Sequence, residues 1–398
     1  MKKLFTFIIC ISLIPIVKAD VNKHTLQFAF KLSLLNRVDT NAISPPSPST
    51  RSIYEDNVYK RRLDSVQKDV PLDYNEYVQA YIDTYMGRKG DIARSLGLSK
   101  YYFPIYEKAF RDAGIPEEMK YLSIVESELN PNAVSRVGAT GLWQFMSETA
   151  KIYNLKIDNY VDDRRDPIEA TYAAAAYLKD AYQQFGDWLL AIASYNCGKS
   201  NVERAMEKTG GHDYWSIREY LPAETRGYVP AYIAVSYMMQ YYDKYNITPE
   251  QSVLAMQTDT VMVNKYVSLT KISAALGIGV QDMALLNPAY KQLIINGTAA
   301  QPRRLVIPQI SKDRFAVLYE VLNNPDAPVP AVQSATAKTL QAKTVLPKYY
   351  TTKKGETLED IADRYGVDIE DLKLWNKTII GIKTGRLQAG VTLKITRG

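Results

Sequence analysis

Carboxylates are the side chains of this sequence best placed to do chemistry. In GIPEEMKYLSIVESELNP (114–131), Pro116 and the two glutamates after it suit a helix start, and Asn130-Pro131 suits its end. At 3.6 residues per turn, Met119, Leu122, Val125, Glu126 and Leu129 share one face. Glu126 therefore falls on the buried stripe close to the C-terminal end. Glu128, about 200° round the helix, faces away, as do Glu117 and Glu118 at the exposed start. A carboxyl in apolar surroundings beside the negative end of a helix resists ionisation. A proton held near neutral pH is what a general acid requires. A core glutamate satisfied by a helix-end or side-chain partner has the same periodicity, which does not separate the two readings.

Three further segments carry residue types that grip sugars. VGATGLWQFM (137–146) is a glycine-punctuated turn leading into an amide, an aromatic ring and a thioether. ASYNCG (193–198) sets Tyr195 and Asn196 just before a glycine, and ETRGYVPAY (224–232) adds Glu224 and Tyr228. Flat rings stack on sugars, while amides and hydroxyls bond to hydroxyl and N-acetyl groups. Each segment alone is a weak signal, because loops rich in Gly, Asn and Tyr are common.

Composition removes the main competitors. His24 and His212 are the only histidines, and Cys10 and Cys197 the only cysteines. That is too few soft ligands for a zinc site of the usual His/Cys kind, and any Ser-His-Asp triad would have to use one of those two histidines. No metal and no cofactor is expected. Thirty tyrosines against four tryptophans favour rings that stack on a face and hydrogen-bond at the tip. The 398 residues allow two or three domains. A hydrophobic content of 46% with 23% charged residues excludes wholesale disorder. No apolar run approaches the ~20 residues of a spanning helix.

The N-terminus reads as a secretory signal over 1–19: Lys2 and Lys3, an apolar run LFTFIICISLIPIV (4–17), then Val17-Lys18-Ala19 before a cut. Pro15 and the shortness of the run argue against a membrane anchor. Cys10 follows Ile9 rather than a small residue, so it is not an evident lipid-attachment site. Cleavage after Ala19 leaves one cysteine, hence no intramolecular disulfide. It also lowers the net charge from +6 to +3, too weak to argue for nucleic acid.

Residues 20–69 are read as a polar leader with a Pro/Ser linker, SPPSPST (44–50). The stretch 70–250 is helical and holds the candidate site. Within it Asp166-Pro167 starts an alanine-rich helix, and Gly186-Asp187 ends that helix and starts the next. The C-terminal part hides a repeat. TLEDIADRYGVDIEDLKLWN (357–376) lies over SLTKISAALGIGVQDMALLN (268–287), matching Leu358 to Leu269, Gly366 to Gly277 and Asn376 to Asn287. Each copy then ends in an apolar strand, 393–395 or 305–307, after one residue of slippage. Two small α+β units of βααβ form are expected at 258–310 and 348–397, separated by a linker at 323–347.

Taken together, these segments resemble the lytic murein transglycosylases with a soluble-lytic-transglycosylase catalytic domain followed by LysM repeats. The family's Glu-Ser motif matches Glu126-Ser127, and its Gly-Leu-x-Gln-x-Met motif matches GLWQFM (141–146). Its Ala-Tyr-Asn-x-Gly motif matches SYNCG (194–198) with Ser194 in place of alanine, and its Glu-Thr-Arg-x-Tyr-Val motif matches ETRGYV (224–229). The resemblance covers roughly 70–397 and implies a mainly α, lysozyme-like catalytic domain followed by two LysM-type modules. It implies Glu126 as the single catalytic acid/base, with Ser127 beside it. Ser135, Gln144 and Met146 would line the cleft, Tyr195 and Asn196 would hold the sugar, Tyr228 would stand close to Glu126, and Glu224 would sit near the rim. The implied activity is non-hydrolytic cleavage of peptidoglycan glycan strands in the periplasm or cell envelope, in cell-wall turnover. Outer-membrane association would be peripheral, and the default oligomeric state is a monomer. The second repeat resembles a glycan-binding LysM closely. The first lacks a counterpart of Gly355-Glu356-Thr357 at Tyr266-Val267-Ser268, so its fold is expected and its glycan binding left open.

Two rivals remain. A hydrolytic muramidase or chitinase on the same fold would need a second carboxylate, for which Asp162, Asp163 and Asp166 are candidates. A non-catalytic peptidoglycan-binding scaffold would use the LysM units alone. A Cys197–His212 nucleophilic pair is disfavoured, because Cys197 occupies the variable position of its motif and His212 lies in a Gly-rich loop.

Overall fold

Periodic runs rich in alanine and tyrosine, punctuated by Asp caps and glycine stops, fold here as a layered set of helices. The computed structural model describes residues 53–254, 256–324, 349–352, 356–358, 361–362, 372–373, 375–376 and 389–395. The signal segment 1–19, the linker at 44–50, most of 323–347 and Gly366 lie outside them. Two units divide the chain, Met1–Val332 and Gln333–Gly398.

The first unit begins with α1 (Ile53–Val66), α2 (Glu76–Gly87), α3 (Lys89–Ala113), α4 (Leu122–Ser127) and α5 (Ser147–Ile152). There follow α6 (Pro167–Phe185), α7 (Trp188–Cys197), α8 (Lys199–Thr209), α9 (Tyr214–Ile217) and α10 (Thr225–Tyr241). Caps explain several starts. Asp166 accepts from the N–H groups of Ile168 and Glu169 with Pro167 in the first turn of α6, and Asp187 accepts from Leu190 N–H at the start of α7. α10 is buried around nearly its whole circumference, so it runs through the core, with α2 packed along it. Pro230, inside α10, cannot donate to Arg226 O. That carbonyl instead accepts from Tyr214 Oη at 2.8 Å and Arg218 Nε at 2.9 Å, so the break leaves nothing unpaired there.

Two expectations change. The helical part starts before Val70: α1 buries Tyr59 and Leu63, four residues apart, in the main core. Its charged text, IYEDNVYKRRLDSV, disguised this, since only a narrow apolar stripe faces inward. The single helix expected over 116–130 is a 3-10 turn (Glu117–Tyr121) followed by the short α4. Glu128 and Leu129 then take left-handed backbone, φ 51° and 62°, so Leu129 is buried by a turn and not by helical period.

The first repeat pairs β1 (Thr258–Val263) with β4 (Arg303–Pro308) antiparallel, Asp259 opposite Ile307. Between them lie β2 (Tyr266–Ser268), α11 (Leu269–Leu276), α12 (Val280–Leu286) and β3 (Ile294–Asn296). The ribbon β2–β3 and α13 (Lys312–Asn323), which covers α11, are additions to the expected βααβ plan. In the second unit β5 (Tyr349–Thr351) pairs with β6 (Thr392–Lys394) over Leu358, Ile361, Leu372 and Ile395. Both repeats use one asparagine in the same way. Asn287 donates to Met283 O and Val306 O and accepts from Val306 N–H, while Asn376 donates to Leu372 O and Lys394 O and accepts from Lys394 N–H. The spans 287–306 and 376–394 differ by the one residue of slippage read from sequence.

The first repeat is docked on the helical part through the loop before α6. Val161 belongs to the repeat's apolar core, Asp162 N–H donates to Ala289 O, and Lys291 N–H donates to Tyr160 O, both at 2.9 Å. Arg304 reaches Asp166 at 2.7 Å and Glu169 at 3.1 Å. Arg304→Ala should cost about 2 kcal/mol of this half-buried, charge-assisted contact. Calorimetry of the full chain should show the repeat melting ahead of the helices; an unaltered melting profile would show that the clamp contributes nothing.

Candidate active site

Glu126, next to last in α4, opens on a cleft of about 310 Å³. α10 supplies its partner: Tyr228, only 7% exposed, donates its hydroxyl to Glu126 Oε1. Desolvation pushes the Glu126 carboxyl up to about 8; the Tyr228 bond opposes this and the nearby charge of Glu224 adds to it. The group therefore holds a proton at neutral pH while touching a donor ready to stabilise its carboxylate. Glu128 lies on the other side of the turn, paired with Arg88 at 2.7 Å and Arg94 at 3.3 Å.

Ser135, Gln144 and Met146 form the facing wall, with Tyr195, Asn196 and Glu224 completing the cleft. The wall is shaped by its glycines and by buried ties. Gly141 has φ +89°, and a Cβ there would stand 1.9 Å from Arg164 O, so no other residue fits. Gln144, at φ 47°, gives Nε2 to Ala133 O and Gly141 O, while Ser135 Oγ accepts from Ala139 N–H. Trp143 of the same motif is a core anchor: its indole is fully buried and donates to Thr171 Oγ1 at 2.9 Å.

Several motif residues do work other than the resemblance implies. Ser127 does not line the cleft; it is buried and donates to Leu142 O at 2.8 Å, as Ser123 does at 2.9 Å, tying α4 to the wall. Tyr195 gives its hydroxyl to Trp143 O at 2.8 Å, so it offers the cleft a ring edge packed on Phe145 and Tyr177. Asn196 accepts from Thr225 Oγ1 through Oδ1, which leaves its amide N–H groups for the cleft. Tyr81 and Tyr85 of α2 also line it, although no motif points to them.

The aspartates considered as second carboxylates are spent elsewhere. Asp162 is ion-paired with Arg164, Asp163 accepts from Lys156 N–H, and Asp166 caps α6 and holds Arg304. Glu224, exposed at the start of α10, is the second carboxylate lining the cleft. Among the described residues no cluster of three or more His, Cys, Asp or Glu could hold a metal ion. No described helix is long and apolar enough to cross a membrane.

Tyr228→Phe separates the two influences on Glu126. Losing the donor removes what stabilises the carboxylate, so the Glu126 pKa rises further. The alkaline limb of the pH–rate profile should move up by about one pH unit, with neutral-pH turnover falling about tenfold. An unmoved limb would show that the bond does not govern the titration.

Comparison with known proteins agrees with this architecture. Residues 103–217 match the family model "Transglycosylase SLT domain", 257–323 match "Lytic transglycosylase MltD, LysM-like domain", and 350–396 match "LysM domain". The chain thus carries a transglycosylase SLT domain followed by two LysM-type domains. It is similar to the membrane-bound lytic murein transglycosylase D of Escherichia coli (strain K12), 33% identical over 295 residues, covering 71% of this chain and 61% of that protein. The soluble lytic murein transglycosylase of Salmonella typhimurium is 36% identical over 117 residues, covering 27% of this chain and 18% of its own. Among solved structures, the 70 kDa soluble lytic transglycosylase from Escherichia coli is 20% identical, covers 55% of this chain and 44% of its own, and has a TM-score of 0.32. The chain spans about three fifths of the length of the curated relative named first.

Proposed function

We propose that this chain is a lytic transglycosylase that cleaves the β-1,4 bond between N-acetylmuramic acid and N-acetylglucosamine in peptidoglycan. The observation that carries the reading is one protonated carboxyl, Glu126, held by Tyr228 in a cleft lined with amide, hydroxyl and aromatic groups. Glu126 donates its proton to the glycosidic oxygen as the bond to the muramyl anomeric carbon breaks. The carboxylate so formed, stabilised by Tyr228, takes the proton of the muramyl C6 hydroxyl. That oxygen closes on the anomeric carbon, leaving a 1,6-anhydro end and a restored Glu126. The internal nucleophile is already oriented, so no second carboxylate is needed to position water.

The SLT match, the relatives' activity and the motif order support this assignment. Removal of 1–19 would deliver the protein to the periplasm or envelope, and the LysM match at 350–396 supports a glycan-binding role for the second module. Hydrolysis is the second reading, with Glu224 as the carboxylate available to activate water. Mass spectrometry of purified sacculi digested by the mature protein separates the two. Anhydro muropeptides, lighter by one water than reducing-end products, are expected; reducing ends would overturn the proposal in favour of hydrolysis.

A further inference from the structure

α2 lies outside residues 103–217, yet it puts two side chains into the cleft. Tyr81 and Tyr85 stand one helical turn apart with 3% and 5% of their surface exposed, their rings packed in the main core. Tyr214 and Tyr232 of that core spend their hydroxyls on protein, on Arg226 O and Glu118 O, as does Tyr195 packed against it, on Trp143 O; Tyr102, which also makes no such bond, does not line the cleft. Among the described residues, neither the Tyr81 nor the Tyr85 hydroxyl has a hydrogen-bond partner. Nor is either hydroxyl a fully buried unpaired atom, and both residues line the cleft. A phenol otherwise buried and left without a partner needs one from outside the fold. Water supplies it when the cleft is empty.

A saccharide supplies it better. Both rings are fixed by packing, so little side-chain freedom is lost when a ligand binds. Burial raises both phenols, Tyr81 to about 12, which keeps them neutral donors throughout the physiological range. Neither is bonded to Glu126, whose hydroxyl donor is Tyr228.

We propose that Tyr81 and Tyr85 are substrate-positioning residues that donate hydrogen bonds to hydroxyl or acetamido oxygens of the glycan lying beside Glu126. The binding site then extends beyond the SLT domain onto α2. This rests on the glycan-cleaving reading above and deepens it.

Tyr81→Phe, Tyr85→Phe and the double variant, made in the full chain, test it with soluble peptidoglycan glycan fragments. Phenylalanine keeps the packed ring and removes only the hydroxyl. KM should rise about 3- to 10-fold per hydroxyl, with kcat within about twofold and Tm unchanged. The same substitutions in the Glu126→Gln background should weaken fragment binding by the same factor. Unaltered KM and affinity in the double variant would overturn the proposal. So would a fall in Tm and kcat with KM unaltered, which would mark the hydroxyls as parts of the fold. If the unsubstituted protein neither binds nor cleaves the fragments, the glycan reading itself falls and takes this one with it. Cleavage intact with KM unmoved sinks the tyrosine pair alone.

Discussion

Glu126→Gln should abolish glycan cleavage, lowering kcat on the order of 10³-fold or more, while glycan affinity holds and alkaline stability rises. The loss follows from the mechanism, because glutamine can neither give the proton nor take it back. The gain follows from linkage. Glu126 is raised from 4.5 to about 8 in the folded protein. Its contribution to stability is therefore fully present below the unfolded value and is lost as pH rises through about 8. The whole shift corresponds to at most about 5 kcal/mol, since the group opens partly to the cleft. Glutamine has no charge to bury, so the variant should hold its Tm between about pH 4.5 and 8, where the parent progressively loses stability. Melting curves and sacculus digests of both proteins, taken across that pH window, check the two halves. Near-normal turnover in the variant would remove Glu126 from the mechanism. Parallel melting profiles would remove the buried-acid argument and leave the assignment of the acid without its physical cause.

Much of this site was legible because its signals are local. The apolar period of 119–129 placed Glu126 on the inner stripe, and the four motifs named most residues that line the cleft. What sequence misjudged was how the burial is achieved. The left-handed pair Glu128 and Leu129 ends α4 early, and no helical projection contains such a turn. Ser127 sits beside the acid in its motif, but its hydroxyl is consumed by Leu142 O, a partner 15 residues away. Tyr81 and Tyr85 look like core tyrosines in EYVQAYIDTYMG, and they are. Only the three-dimensional neighbourhood distinguishes a hydroxyl that meets a carbonyl from one that meets a cleft.

The modules show the same division. Their repeat was readable down to one residue of slippage, because Asn287 and Asn376 answer a local need to tie helix to strand. The docking of the first module was not. Val161, Asp162 and Asp166 sit in NYVDDRRDP, which reads as loop and cap, and their partners lie more than a hundred residues on. Pairings at that separation leave no periodic trace.

Arg164→Met should cripple the same cleft without touching Glu126. The Arg164 guanidinium is 7% exposed and grips Asp162 with both arms, Nε to Oδ1 at 2.9 Å and Nη2 to Oδ2 at 2.8 Å. Its Nη1 holds Gly138 O and Phe145 O at 3.1 and 3.2 Å, bracketing the turn that carries Gln144. Methionine leaves the buried Asp162 carboxylate with only the longer Arg165 ion pair at 3.8 Å and these carbonyls without that donor, which should cost about 3 kcal/mol and roughly 10 °C of Tm. With the turn untethered, KM should rise and kcat fall even well below the melting temperature. Adding Asp162→Asn tells the two effects apart. It removes the weakly paired charge, so part of the stability returns. Activity should stay low, because the carbonyls of Gly138 and Phe145 still lack their tether and the wall facing Glu126 is still loose. If activity returns in step with stability, the ion pair serves the fold alone. If stability returns and activity does not, Arg164 shapes the cleft, and the loop that seats the first module at Ala289 also sets the geometry opposite the acid.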